Sequence, residues 1–318
     1  MEARRILSLD GGGIRGLVGC RWLAGAEDAL LAAGKPGLLQ SFDLLAGSST
    51  GAIIAAGLAI GLSPATMAEI YREQRRRIFP GLAERLWSRL RRLPDQGPSA
   101  PKYDAQGLEA VLKHVFGAAT LGQAKLPLMV TSYDTISRTP VIFKSFKPEH
   151  SDLPLWEVCR ASSAAPTYFP AHGMTVEGRA CALIDGGVVA NNPTACAIAE
   201  ALRKNARADR PRDLVVLSIG TGARTRSISL ASAREWGALE WAVPIIDVLF
   251  DGSADSVDYI ARHLVGDGYF RLQAELTIGL DGLDDVSDTS VAALEAVAGD
   301  YLLRADTRRQ LARLATLL

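Results

Sequence analysis

Two glycine-bearing turns, each directly after a short apolar run, restrict most strongly how this chain can fold. Residues 10–16 read Asp-Gly-Gly-Gly-Ile-Arg-Gly, and residues 47–51 read Gly-Ser-Ser-Thr-Gly. Gly-x-Ser-x-Gly is the pattern of a nucleophile elbow, a tight turn that carries a serine from the end of a strand to the start of a helix. The first turn can direct several backbone N–H groups at one point, where an oxyanion would be stabilised. Together the two turns predict strand–turn–helix units that build an acyl-transfer site.

The rest of the chain continues the same alternation. Apolar runs predict strands at residues 4–9, 42–46, 126–133, 141–146, 181–184, 214–219 and 269–272. Helical patterns cover residues 17–33, 52–62 and 290–317. Strands that alternate with helices are typical of an α/β fold with a largely parallel central sheet. We expect one domain over residues 1–318, with a mobile lid or insertion around residues 75–105.

Composition excludes several classes of function. Lysine and arginine balance aspartate and glutamate at a formal net charge of zero, which gives no general attraction to a nucleic-acid polymer. Four histidines make a histidine-rich metal site a poor expectation. The apolar run at residues 6–9 is too short for a secretory signal, so a cytoplasmic location is expected. The uncharged stretch at residues 44–68 is interrupted by glycines and holds the serine turn, so we interpret it as a strand, an elbow and a buried helix.

A serine hydroxyl is a weak nucleophile at neutral pH and needs a base. Asp185 stands at the end of the strand-like run 182–184 and is followed by two glycines that permit a tight turn. A partly desolvated aspartate has a raised pKa and is a better base than one in water. A histidine could serve instead, and His263 follows Asp185 in the order of a conventional triad. Residues 260–264 have a helical pattern, which favours a packing or surface role for His263.

These motifs together resemble those of the patatin-like phospholipase family. That family carries a glycine-rich turn, a Gly-x-Ser-x-Gly elbow and a later Asp-Gly-Gly, which correspond here to residues 10–16, 47–51 and 185–187 in the same order. The block at residues 161–170 and the Asn-Asn-Pro at residues 191–193 are also similar to the family. The resemblance extends over nearly the whole chain and implies a three-layer α/β/α fold.

The resemblance also implies roles for individual residues. Ser49 would be the nucleophile and Asp185 the general base of a dyad without histidine. Three backbone N–H groups would form the oxyanion hole, with support from Arg15: those of Gly11, Gly12 and Gly13. The implied activity is hydrolysis of ester bonds in phospholipids or related lipids, without a metal or other cofactor. Some bacterial members are anti-phage effectors switched on by cyclic nucleotides, so such an activator is a further expectation.

Two other functions stay open on the sequence. One is a general carboxylesterase with little preference for phospholipids. The other is a nucleotide-responsive binding module, in which the glycine turn holds a phosphate through its N–H groups. The turn lacks the Gly-Lys-Ser/Thr ending of a P-loop, which counts against that interpretation.

Residues 72–93 have the pattern of a basic amphipathic helix. Arg85, Arg89 and Arg92 fall on one stripe beside a leucine stripe. Such a helix suits an anionic membrane surface, which would make the protein peripheral at the inner face of the membrane. A helix packed on the core with a solvated arginine face produces the same pattern.

Overall fold

The computed structural model describes residues 4–81, 84, 100–204, 210–223, 227–242, 244–276, 280 and 282–318. The strands in this part of the chain are β1 (Arg5–Leu9), β2 (Leu44–Ser48), β3 (Leu128–Asp134), β4 (Thr139–Lys144), β5 (His172–Val176), β6 (Arg179–Asp185), β7 (Val215–Ile219) and β8 (Tyr269–Leu272). The helices are α1 (Gly16–Ala32), α2 (Leu38–Ser41), α3 (Thr50–Ile60), α4 (Pro64–Ile78), α5 (Gln106–Phe116), α6 (Leu155–Ser162), α7 (Gly187–Ala190), α8 (Thr194–Lys204), α9 (Leu230–Glu235), α10 (Ala238–Trp241), α11 (Pro244–Val265), α12 (Asp288–Leu303) and α13 (Ala305–Leu317).

The strands form one mixed sheet in the order β5-β6-β3-β2-β1-β7-β8, and β4 also pairs with β3. The five strands β3, β2, β1, β7 and β8 run parallel to one another. The strands β4, β5 and β6 join the sheet by antiparallel pairing. The predicted largely parallel sheet is therefore confirmed. The β5 strand had not been predicted, because only alternate residues of it are buried and its sequence contains glycine and histidine.

Both faces of the sheet are covered by helices. Successive residues of β1 show this, because Leu7 belongs to a core with α1, α3 and α4, while Ile6 belongs to a second core with α8 and α11. Parallel strands that are buried on both faces need near-continuous apolar sequence, which explains why the runs at β1, β2 and β7 could be found in the sequence. The arrangement is the expected three-layer α/β/α architecture.

The register of β3 brings two chain ends together. β2 runs parallel to β3 and ends with Ser48 opposite Thr131. β6 runs antiparallel to β3 and ends with Asp185 opposite Ser132, the next residue. Because β4 pairs with β3 along Met129–Asp134, β2 and β6 share the remaining edge of β3 and meet there with their carboxyl ends. Ser49 and Asp185 therefore converge although 136 positions separate them in the sequence.

The helical stretch predicted at residues 290–317 is two helices, because Arg304 is in extended conformation between α12 and α13.

Most of the proposed lid around residues 75–105 lies outside the described residues, and so do Arg85, Arg89 and Arg92. In the described part of the chain, no helix has the length and apolar character needed to cross a membrane.

Candidate active site

Ser49 occupies a strained turn between β2 and α3. Its φ of 52° and ψ of −122° lie outside the regions that non-glycine residues ordinarily adopt, as expected of a nucleophile elbow. The turn fits only because its glycines lack side chains: a β-carbon on Gly51 would collide with the carbonyl oxygen of Leu9. The N–H of Ser49 donates to Oγ of Ser162 at 2.8 Å, which fixes the turn from the end of α6.

The Ser49 hydroxyl is bonded to Asp185. Oγ of Ser49 donates to Oδ2 of Asp185 at 2.6 Å, a short distance typical of a hydroxyl that donates to a carboxylate. The other carboxylate oxygen accepts a hydrogen bond from the N–H of Gly187 at 2.7 Å. The two bonds hold the carboxylate in one orientation, with one oxygen directed at the serine.

Asp185 is fully buried, and burial raises the pKa of its carboxyl to about 7. The hydrogen bonds from Ser49 and Gly187 act in the opposite direction, because they stabilise the ionised form. A carboxyl that titrates near neutral pH can take a proton and return it within one reaction cycle. The environment thus gives this aspartate the acid–base properties that a histidine usually supplies.

The glycine-rich turn lies directly against the elbow. The N–H of Gly11 donates to the carbonyl of Asn191 at 3.0 Å, so this group is already occupied. Gly13 has a φ of +59°, a left-handed conformation that glycine adopts without strain, and it lines the same cavity as Ser49. Of the three N–H groups predicted to bind an oxyanion, those of Gly12 and Gly13 donate to no acceptor in the described part of the chain.

Arg15 is buried and acts on the turn through carbonyl groups. Its Nε donates to the carbonyl of Gly12 at 3.3 Å, and its Nη1 donates to the carbonyl of Gly222 at 3.0 Å. Gly222 follows β7, so Arg15 ties the glycine turn to the neighbouring strand end. These contacts favour a positioning role for Arg15.

Several residues of the site were not identified from the sequence. Arg271 on β8 donates to Oδ2 of Asp10 at 2.6 Å, and both side chains are buried. Breaking such a buried ion pair costs about 3–5 kcal/mol, so the pair anchors the start of the glycine turn. The hydroxyl of Tyr71 on α4 bonds to the hydroxyl of Thr50, and it also donates to the Thr50 carbonyl at 3.2 Å. No short motif connects these partners, because they come from distant elements.

A cavity with mostly apolar walls opens at the Ser49–Asp185 pair. The space between its walls, including the open mouth, amounts to about 510 Å³. The apolar part of its wall comes from α3, α4, α5, α11 and the loops that follow α4, α6 and β8: Ile53, Ile78, Phe79, Leu108, Ala165, Phe169, Phe250 and Leu283. Such a wall suits a hydrocarbon chain whose polar end reaches the serine.

All four histidines lie in the described part of the chain, and none of them lines this cavity. His263 is exposed near the end of α11, as the helical pattern predicted. His172 on β5 lies 3.5 Å from Glu157, and burial lowers its pKa. His114 is exposed on α5, and His150 accepts a hydrogen bond from the N–H of Lys144 at 3.1 Å.

We therefore expect that no histidine is required for hydrolysis. Replacement of His114, His172 or His263 by alanine, and of the buried His150 by glutamine, should leave the rate within about tenfold of the wild type. The measurement is the turnover of a soluble ester, normalised to folded protein. A collapse of the rate for the His263 variant alone, with folding preserved, would instead support a conventional triad.

Among the described residues, no group of three or more His, Cys, Asp or Glu side chains is arranged to hold a metal ion.

The chain is similar in sequence to known proteins. Residues 7–198 match the family described as patatin-like phospholipase. Patatin-like protein 2 of Arabidopsis thaliana is 31% identical over 349 aligned positions, which cover 96% of this chain and 84% of that protein.

Two further similarities are one to a plant protein sequence and one to a solved structure. Patatin-like protein 2 of Oryza sativa subsp. indica is 30% identical, and the alignment covers 96% of this chain and 84% of that protein. Among solved structures, VipD from Legionella pneumophila superposes with a TM-score of 0.42 at 13% identity, over 95% of this chain and 67% of that one.

Proposed function

Because this chain belongs to the patatin-like phospholipase family, we propose that it cleaves ester bonds of membrane phospholipids, with Ser49 as nucleophile and Asp185 as general base. Family membership makes the protein a lipid acyl hydrolase. The phospholipase A-type specificity and the roles of the two residues are the proposal. One observation carries it: the Ser49 hydroxyl donates to a fully buried carboxylate, 2.6 Å away, at the end of an apolar cavity.

In the first step, Oδ2 of Asp185 takes the proton of the Ser49 hydroxyl while Oγ attacks the ester carbonyl. A tetrahedral intermediate forms, and its negative oxygen needs hydrogen-bond donors. When the intermediate collapses, Asp185 returns the proton to the departing alcohol and Ser49 holds the acyl group. Water then attacks this acyl-enzyme while Asp185 takes its proton, and Asp185 returns that proton to Oγ of Ser49 as the fatty acid leaves.

The donors for the oxyanion would be backbone N–H groups. Those of Gly12 and Gly13 fit this role, because the N–H of Gly11 is bonded to the Asn191 carbonyl. The residue after a nucleophile also contributes its N–H in serine elbows of this kind, which adds Thr50. Thr50 begins α3, so the positive end of the helix dipole also faces the developing charge. Each donor of this type is typically worth 10²–10³ in rate.

The walls of the cavity support a lipid in preference to a phosphate. A nucleotide phosphate held by the glycine turn would face the Asp185 carboxyl on one side. A second, polar cavity beside the turn has Asp10, Asp251 and Asp255 together with Arg15 as its charged lining residues. Three carboxyl groups outnumber the one guanidinium there, and with Asp185 in the first cavity they disfavour a phosphate at this turn. A general carboxylesterase would use the same two residues, so only substrate preference separates it from a phospholipase.

Product profiling tests the proposal. Vesicles of mixed phospholipids treated with the protein should release free fatty acids and lysophospholipids, and the Ser49→Ala variant should release neither. A serine-directed fluorophosphonate should label Ser49. Efficient turnover of short soluble esters together with intact vesicle lipids would favour the general carboxylesterase, and nucleotide binding without labelling would favour the binding module.

Activation by a cyclic nucleotide in an anti-phage role stays a prediction. The same vesicle assay tests it, because an activator raises the rate of the wild type when added. Action at a membrane surface is part of the proposal, since the substrate resides there.

A further inference from the structure

Helix α11 (Pro244–Val265) has an inner face that belongs to the wall of the site. Phe250 lines the cavity beside Ser49 and Asp185, and a β-carbon on Gly187 would press against its ring. Oγ of Ser253, one turn later, accepts a hydrogen bond from the N–H of Asn191 at 3.3 Å. The first three turns of α11 are therefore fixed to the segment that follows Asp185.

The outer face of the same turns is apolar and exposed. Ile245, Val248 and Leu249 keep 38%, 44% and 43% of their surface accessible, at the i, i+3 and i+4 spacing of one helix face. Leu239 is 89% exposed on the preceding short helix α10, which contacts α11. We call these four residues the docking face. Exposed apolar patches rimmed by polar residues mark sites that contact a partner or a membrane.

Two tryptophans adjoin the docking face. The rings of Trp236 and Trp241 pack edge to face with their centroids 5.2 Å apart, and both side chains are half-buried. Indole combines a large apolar ring with one N–H donor, which suits the boundary between hydrocarbon and water. The surroundings of the docking face thus have the chemistry of a lipid–water interface.

The size of the docking face and the charges near it indicate whether it binds a protein or a bilayer. A stable protein–protein interface takes roughly 20–30 residues from each side, whereas a few inserted side chains can hold a protein on a bilayer. Beside the docking face, the described charged residues are Arg234, Glu235 and Glu240, which carry a net negative charge, whereas Asp247 and Asp251 lie on the opposite side of α11 and Asp251 lines the polar cavity beside Asp10. An anionic surface would be repelled by that net negative charge, and a zwitterionic surface would not.

We propose that the docking face inserts into the surface of a zwitterionic phospholipid bilayer and so brings the cavity beside Phe250 to its lipid substrate. The inference rests on the proposed function, because it assumes that the substrate is a membrane lipid. It assigns membrane contact to α10 and the start of α11, a different part of the chain from the basic segment at residues 72–93.

The test compares two double variants of one helix. Val248→Asn with Leu249→Asn removes half of the docking face. Ile260→Asn with Leu264→Asn is the matched control, because these residues are 42% and 45% exposed on the same helix but lie further along it. All four positions are exposed, so both variants should fold. Binding to phosphatidylcholine vesicles and hydrolysis of their lipid should fall on the order of tenfold or more in the first variant only, since each buried aliphatic side chain contributes a substantial part of adsorption.

Hydrolysis of a soluble short-chain ester separates this inference from the proposed function. Loss of vesicle binding with unchanged soluble turnover supports the docking face. Equal vesicle binding by all three proteins overturns it. So does binding that requires anionic lipid and disappears when Arg85, Arg89 and Arg92 become glutamine. A dimer in sedimentation that the first variant abolishes would assign the face to a second copy. A wild type inactive on both substrates would refute the proposed function instead.

Discussion

Replacing Ser49 with alanine should abolish ester hydrolysis and leave the fold intact. Among the described residues, the side chain makes one hydrogen bond, to Asp185, and it lines a cavity, so its loss removes little packing. Loss of a serine nucleophile that works as a unit with its base costs on the order of 10³ or more in turnover. The measurement is the rate of release from a soluble p-nitrophenyl ester, with circular dichroism and thermal unfolding as the check on folding.

The control for this prediction is Ser48→Ala. Ser48 is also a buried serine of the elbow, but its hydroxyl has no hydrogen-bond partner within the described residues and does not line the cavity. Removing an unpaired buried hydroxyl should be close to neutral for stability. Appreciable turnover in Ser49→Ala, or an equal loss in Ser48→Ala, would contradict the assignment of Ser49.

The two turns could be predicted because each is a local device. The φ of Gly13 and the close contact between Gly51 and Leu9 are demands on single positions, and glycine meets them. The same reasoning found the strands around these turns, since strands buried on both faces are apolar without interruption. Local signals of this kind identify elements and their order.

The pairing of Ser49 with Asp185 is of a different kind. It depends on β2 and β6 meeting at Thr131 and Ser132 of β3, and a strand register is set by long-range pairing. The sequence indicated Asp185 as a base at a strand end, and the structure adds that its strand β6 runs antiparallel to β3 within the largely parallel sheet. The head-to-head arrangement of two strand ends has no sequence motif of its own.

The oxyanion donors illustrate a similar limit. Three consecutive glycines gave three equivalent candidates in the sequence, Gly11, Gly12 and Gly13. The structure distinguishes them through a partner 180 residues away, because the Asn191 carbonyl accepts the N–H of Gly11. The exposure of a side chain also depends on contacts between distant parts of the chain. The packing of α11 against the segment after Asp185 decides which of its apolar residues line the cavity and which belong to the docking face.

Replacing Asp185 with asparagine should inactivate the enzyme and, above neutral pH, make it more stable. Asparagine is nearly isosteric and can still accept the hydrogen bond from Gly187 and donate one to Ser49. It cannot take a proton, so turnover should fall on the order of 10³ or more. In the wild type, the rate should rise with pH through about 7, where the Asp185 carboxyl ionises. This acidic limb should be absent from the residual activity of the variant.

The effect on stability has a definite sign. The pKa of Asp185 in the folded protein is about 7, above its value of about 4 in an unfolded chain. The folded state therefore binds the proton more tightly than the unfolded state, and the protein loses stability as pH rises from about 4 to about 7. At 1.36 kcal/mol per pH unit, the buried charge costs up to about 4 kcal/mol at pH 8, and the cost is absent below pH 4.

Denaturant unfolding of the wild type and of Asp185→Asn measures this effect. The free energy of unfolding should be larger for the variant at pH 8 and equal for the two proteins at pH 4. A variant less stable than the wild type at pH 8 would mean that the carboxylate is stabilised in the fold, which does not fit a base that burial holds near neutral pH.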